Sequence, residues 1–182
     1  MSRVRALPAF GRILAIAAVF VLGACGEQRP TEPAEPARTG FLFGLPSSSA
    51  TLVECPTSES RTTTATIGVL GGTLSLGGTS VFLPVGAVLA PTTIELTIPA
   101  SQYMEIGIKA NGAEHFLFKK SILVTIDYSR CDRSDVLLKP LTVWEIDPQT
   151  KALIEKMGGI DNKLTQSITF STIHLSGYAI AF

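Results

Sequence analysis

Two Gly-Gly pairs punctuate the stretch TIGVLGGTLSLGGTSVFLPVGAVL, residues 66–89, and they constrain the fold more than any other feature. Glycine reaches positive φ without steric cost, so Gly71-Gly72 and Gly77-Gly78 read as hairpin turns. The runs beside them, TLSL and TSVFLP, alternate polar and apolar residues. Two alternating runs joined by Gly-Gly spell a β-hairpin, and Pro84 and Gly86 end its second strand. TTIELTIPA continues the pattern, with Ile94, Leu96 and Ile98 on one face and Glu95 and Thr97 on the other. A period of two over that length means a half-buried strand.

Further short runs follow: MEIGIKA, HFLF, ILVTIDY, LTVWEID, ALIEKM, SITF and GYAIAF. Turn-forming stretches such as ANGAE, SRCDRSD, DPQTK and GGIDN separate them. ALIEKM is the one run with helical character, and it is too short to hold a helix alone. No internal repeat is present. Many short strands with closely spaced turns predict an all-β fold, an antiparallel β-sandwich, over residues 51–182. That length suffices for a single core.

The N-terminus has a different character. Arg3, Arg5 and Arg12 precede the apolar run ILAIAAVFVL, which ends in Gly23, Ala24 and Cys25. A charged start, a short apolar stretch and small residues before a cut are the layout of a secretory signal, and the run is too short to span a bilayer. Its end, LGAC, resembles the lipobox of bacterial lipoproteins. Leu22, Ala24 and Cys25 stand in the matching places. The resemblance implies cleavage after residue 24 and lipid on Cys25, including an acyl chain of the palmitate type. The plainer alternative is an ordinary secretory signal with an unrelated cysteine after the cut. Gly26 follows Cys25, and in the lipoproteins it resembles, a residue other than Asp there favours the outer membrane.

Residues 26–40, GEQRPTEPAEPARTG, are too polar and Pro-rich to bury apolar area and read as a stalk. FLFGL and PSSSA complete a linker spanning 25–50. Residues 1–24 hold three arginines and no acid, so the remaining chain has 12 basic against 15 acidic side chains, a net of −3. So mild a charge gives no reason to expect nucleic acid, which calls for a clustered basic face. Cys55 and Cys131 are the two cysteines not in LGAC. In an exported, oxidising compartment an even pair reads as one disulfide, with two separate buried thiols as the alternative.

The opening IGVLGGTLSLGGTSVFLPVGAV resembles that of the ZU-five domain, named after zona occludens proteins and netrin receptors. Gly71, Gly72, Leu74, Val81, Leu83, Pro84, Gly86, Ala87 and Ile94 stand in its places, with Val85 where the family has a second proline. The ending ITFSTIHLSGYAIAF resembles the close of that domain, with Leu175 where Phe is usual. The resemblance covers residues 65–182. Exported bacterial proteins with a lipobox, a Pro-rich stalk and one such domain look similar, and in them paired cysteines recur where Cys55 and Cys131 stand. The resemblance implies a sandwich of structural or protein-interaction type, with a protein partner it does not name, and no substrate.

Motifs that carry chemistry are sparse. His115 and His174 are the only histidines, and neither has a second His or a Cys at ligand spacing, so no zinc site can be written and no metal is expected. No phosphate-binding loop or nucleophile elbow is present, and no cofactor is expected. Asp127, Asp132 and Asp135 surround Cys131 without the spacing of a calcium loop and read as solvated loop acids. One motif stands apart. His174-Leu175-Ser176 resembles the tripeptide at which some β-domains cut their own backbone. There the His takes the Ser proton, and the hydroxyl attacks the preceding carbonyl, so Leu175-Ser176 would be the scissile bond. Residues two apart on one strand share a face, which would set His174 beside Ser176, and Gly177 would permit the kink. Set against this, Ser176 simply enters the last strand, where Tyr178, Ile180 and Phe182 share one face and Ala179 and Ala181 the other. A third reading is a glycan-binding sandwich that uses Trp144, Tyr103 and Tyr128, although Trp144 in an alternating strand reads first as core. The main expectation is a non-enzymatic envelope lipoprotein that presents a β-sandwich to another envelope component.

Overall fold

The computed structural model describes residues 50–182. The signal region, Cys25, the stalk and FLFGL lie outside the described residues. Eleven strands follow in order: β1 (Arg61–Ile67), β2 (Gly72–Leu76), β3 (Thr79–Leu83), β4 (Thr92–Ile98), β5 (Glu105–Ala110), β6 (Leu117–Asp127), β7 (Thr142–Ile146), β8 (Leu153–Gly158), β9 (Ile160–Asn162), β10 (Ser167–His174) and β11 (Gly177–Ala181). A five-residue helix, α1 (Arg133–Leu137), sits between β6 and β7. The strands form two antiparallel sheets, ordered β1-β4-β5-β11-β7-β8 and β2-β3-β6-β10-β9. This is the β-sandwich that the alternation predicts.

The core fills the space between the sheets. Val81, Leu83, Ile122, Val124 and Ile126 contribute from the five-stranded sheet, and Ile94, Leu96, Ile106, Ile108, Tyr178 and Ile180 from the other. Each fully buried aliphatic side chain of this kind contributes roughly 1.5–3 kcal/mol relative to exposure. Burial follows the predicted parity: Ile94, Leu96 and Ile98 are buried while Glu95 and Thr97 are half-buried. ALIEKM forms strand β8. TLVEC is an extended entry segment rather than a full strand, laced to β11 by Thr51 N–Phe182 O and Val53 N–Ile180 O at 3.0 and 2.9 Å.

The two glycine pairs separate into different roles. Gly77 and Gly78, at φ 56° and 86°, make the β2–β3 hairpin turn, whose positive dihedrals match the strand twist. Gly71-Gly72 is not a hairpin, which corrects the sequence reading. β1 and β2 belong to opposite sheets, and Gly71 turns the chain from one to the other. Its amide donates to Gly68 O at 3.0 Å, and the LPVGA corner packs against the turn through Gly86 N–Val69 O at 2.7 Å.

Trp144 also moves. It is buried, yet on the outer face of the six-stranded sheet, in a small cluster with Ile146, Ala179 and Ala181 that Leu52 and Leu153 help cover. Tyr178 and Ile180 face the main core and Ala179 and Ala181 the outer cluster, as the alternation of GYAIAF requires.

Candidate functional site

The His174-Leu175-Ser176 segment is where the chain changes sheets. β10 ends at His174 in the five-stranded sheet, and β11 begins at Gly177 in the middle of the six-stranded one, paired with β5 and β7. Leu175 is fully buried in the crossing, and its amide donates to Phe116 O at 3.2 Å. Because the strand is interrupted here, the same-face rule for residues two apart does not hold. His174 opens onto a cavity shared with His115 and Glu145, whereas Ser176 lines a separate one. His174 Nε2 lies 3.0 Å from Glu145 Oε2, and no hydrogen bond joins His174 to Ser176. A base and a hydroxyl placed this way lack the contact that proton transfer needs. Intact-mass measurement of the purified chain is therefore expected to retain residues 176–182, identically in wild type and in Ser176→Ala. A wild-type mass lacking them, restored by the substitution, would establish cleavage.

The recess beside Ser176 has a floor without side chains. Gly107 on β5 and Gly177 on β11 are direct cross-strand partners. A Cβ built on Gly107 would meet nothing within 4 Å, so the glycine leaves an opening of about 230 Å³ on the sheet face. The polar wall is Glu105, only 3% exposed, whose oxygens accept from Lys151 Nζ at 2.8 and 2.7 Å. The lysine also donates to Pro148 O at 2.7 Å. An unpaired buried carboxylate would be costly, and the bidentate contact neutralises it.

The cavity of His174 holds a denser set of groups. Glu145 on β7 and Glu155 on β8 are register partners, so they stand directly opposite on one face. His174 reaches them from the opposite sheet, so that face looks into the sandwich. One ligand atom from each of the three residues lies within 4.8 Å of the others. The backbone of His174 is held from behind. Thr172 Oγ1 donates its one hydrogen to His174 O at 3.0 Å and accepts from His174 N at 3.1 Å. Its approach to His174 Nδ1 is longer, at 3.4 Å, whereas the 3.0 Å contact of Nε2 with the acceptor-only carboxylate of Glu145 calls for a hydrogen on Nε2. Tyr178 Oη donates to His174 O at 2.7 Å. Burial pushes the Tyr178 hydroxyl up to about 12, with the charges of Glu145 and Glu155 acting in the same direction. Sequence reasoning missed this cluster. Its one signal is Glu145 itself, an acid at an inward position of an alternating strand.

The remaining candidates have structural places. Tyr128 is fully buried, and its hydroxyl donates to Asp161 Oδ1 at 2.6 Å; burial first, and then this bond, hold its pKa well above the usual tyrosine value. Trp144 is buried and Tyr103 half-buried, so the three aromatics form no exposed platform for a sugar ring. Asp127 Oδ1 accepts from Ser129 N, and Asp132 Oδ1 accepts from Ser134 N at the start of α1, each at 2.8 Å. These are turn and cap contacts. Cys55 and Cys131 form a disulfide across 76 residues, which decides between the two alternatives for that pair. No family model matches the chain, and a search of curated proteins returns no match.

Proposed function

We propose that this chain is a non-enzymatic, exported lipoprotein of the cell envelope, in which a ZU-five-like sandwich stands on a lipid-anchored stalk and contacts another envelope component. The observation that carries the reading is the allocation of its three cysteines. The disulfide takes Cys55 and Cys131, a bond typical of exported proteins, and leaves Cys25 alone within LGAC. Several acyl chains on one residue make a firm anchor, where a single chain binds only marginally. The absence of a hydrogen-bonded pair between His174 and Ser176 supports a binding role over self-cleavage.

The anchor is tested by fractionation. Cys25→Ala should move the protein from the membrane pellet to the soluble fraction and abolish incorporation of labelled palmitate. A variant that still sediments with membranes and still takes up label would sink the anchor. Crosslinking in the native envelope, followed by mass spectrometry, then identifies the partner; a chain recovered only as itself would leave the contact role without support.

A further inference from the structure

We propose that Glu145, Glu155 and His174 form a binding site for a divalent transition-metal ion of the zinc type. Glu145 and Glu155 are a like-charge pair in direct register, an arrangement that destabilises a sheet on its own. The group that faces them is an imidazole rather than a lysine or arginine. His174 Nε2 donates to Glu145 Oε2 at 3.0 Å, so the two candidate ligand atoms already face each other. A metal cation bound there would take the place of the hydrogen between them.

The geometry suits the metal. Zinc binds imidazole nitrogen and carboxylate oxygen at about 2.0–2.2 Å, which places two ligands of a tetrahedral ion roughly 3.4 Å apart. The His174–Glu145 pair already has nearly that spacing. Glu155 is exposed and free to close from within 4.8 Å. Two carboxylates and a neutral imidazole balance a divalent charge. Thr172 Oγ1, 3.4 Å from His174 Nδ1, stands where a second contact orients a ligating imidazole by its other nitrogen. The chain's only other histidine, His115, lines the same cavity. Imidazole selects zinc-type ions over calcium and magnesium, which prefer oxygen-only sites.

The alternative that the test must separate is a plain His–Glu ion pair with an inward charge guarding the edge strand β8. The full-length chain, purified in detergent without a histidine tag and stripped with chelator, is titrated with Zn²⁺ alone by calorimetry at neutral pH. One ion per chain is expected to bind. Calcium should bind far more weakly under the same conditions. His174→Ala should weaken binding at least about 100-fold, the upper end of what loss of even an outer-shell partner costs. Glu155→Gln alters an exposed side chain, so it keeps the fold, and it should weaken binding about tenfold or more. Binding should also fall as the pH is lowered, because a doubly protonated imidazole cannot ligate; the groups facing His174 are Glu145, Glu155 and His115, with Tyr178 behind. No binding at millimolar Zn²⁺ would overturn the proposal. So would equal affinity in wild type and Glu155→Gln, or equal affinity for calcium and zinc.

Discussion

Replacing Cys55 and Cys131 together by alanine is expected to lower the stability of the sandwich by about 4 kcal/mol, the entropy a crosslink of this span removes from the unfolded chain. The two residues are 76 apart in sequence, so the bridge closes more than half of the domain into one loop. Cys55 ends the extended entry segment, whose amide donates to Gln102 O at 2.8 Å, and Cys131 lies in the turn that leaves β6. Both are buried in the main core, so alanine also removes a little apolar contact. Single domains are typically stable by about 5–15 kcal/mol, so the bridge accounts for a large share. In thermal melts the double variant should unfold roughly 15 °C below wild type. Wild type treated with reductant should approach the same midpoint. A loss under about 1 kcal/mol would show that the bridge does not constrain the unfolded chain as the loop-closure account requires.

Gly71→Ala is the second large effect, with an expected loss of about 3 kcal/mol or more. At φ 75° an alanine pays for a left-handed conformation, and its Cβ would overlap Leu83 O and sit 2.8 Å from Pro84 C. Both obstacles are backbone of the LPVGA corner, which no side-chain rotation relieves. Gly107→Ala is the internal control. That glycine has no positive φ, and its added methyl meets nothing within 4 Å. Removing glycine's freedom from the unfolded chain should make the control neutral or stabilising by about 0.4–1 kcal/mol. Denaturant midpoints of the two variants measure the contrast directly. Equal midpoints would mean that the corner yields and the crossing between sheets does not depend on Gly71.

The same glycine shows how far sequence reasoning reaches. A Gly-Gly pair announces a reversal, and at Gly77-Gly78 the reversal returns the chain to its neighbour. At Gly71 the same dipeptide sends the chain to the other sheet, because burying both faces of the sandwich outweighs pairing β1 with β2. Nothing local distinguishes the two. His174-Leu175-Ser176 fails for a related reason. Its spacing brings two side chains together only on a continuous strand, and the chain changes sheets within the tripeptide. The glycan reading of Trp144, Tyr103 and Tyr128 fails because periodicity says which residues share a face, not what covers that face. Leu52 and Leu153 cover the face on which Trp144 lies.

Local pattern alone determined the all-β class, the β2–β3 hairpin, the inward faces of β4 and β11, and the pairing of Cys55 with Cys131 as one of two alternatives. Alternation, turn chemistry and cysteine parity are short-range or compositional properties, so they survive without knowledge of the partner strands. Tertiary structure alone decided which strands share a sheet, that Ser176 lines a glycine-floored recess away from His174, and that Glu145, Glu155 and His174 converge. Those three residues lie on β7, β8 and β10, and β10 belongs to the other sheet. Ligand-spacing rules detect residues carried on one element, whereas this cluster forms only when two sheets close over a common core.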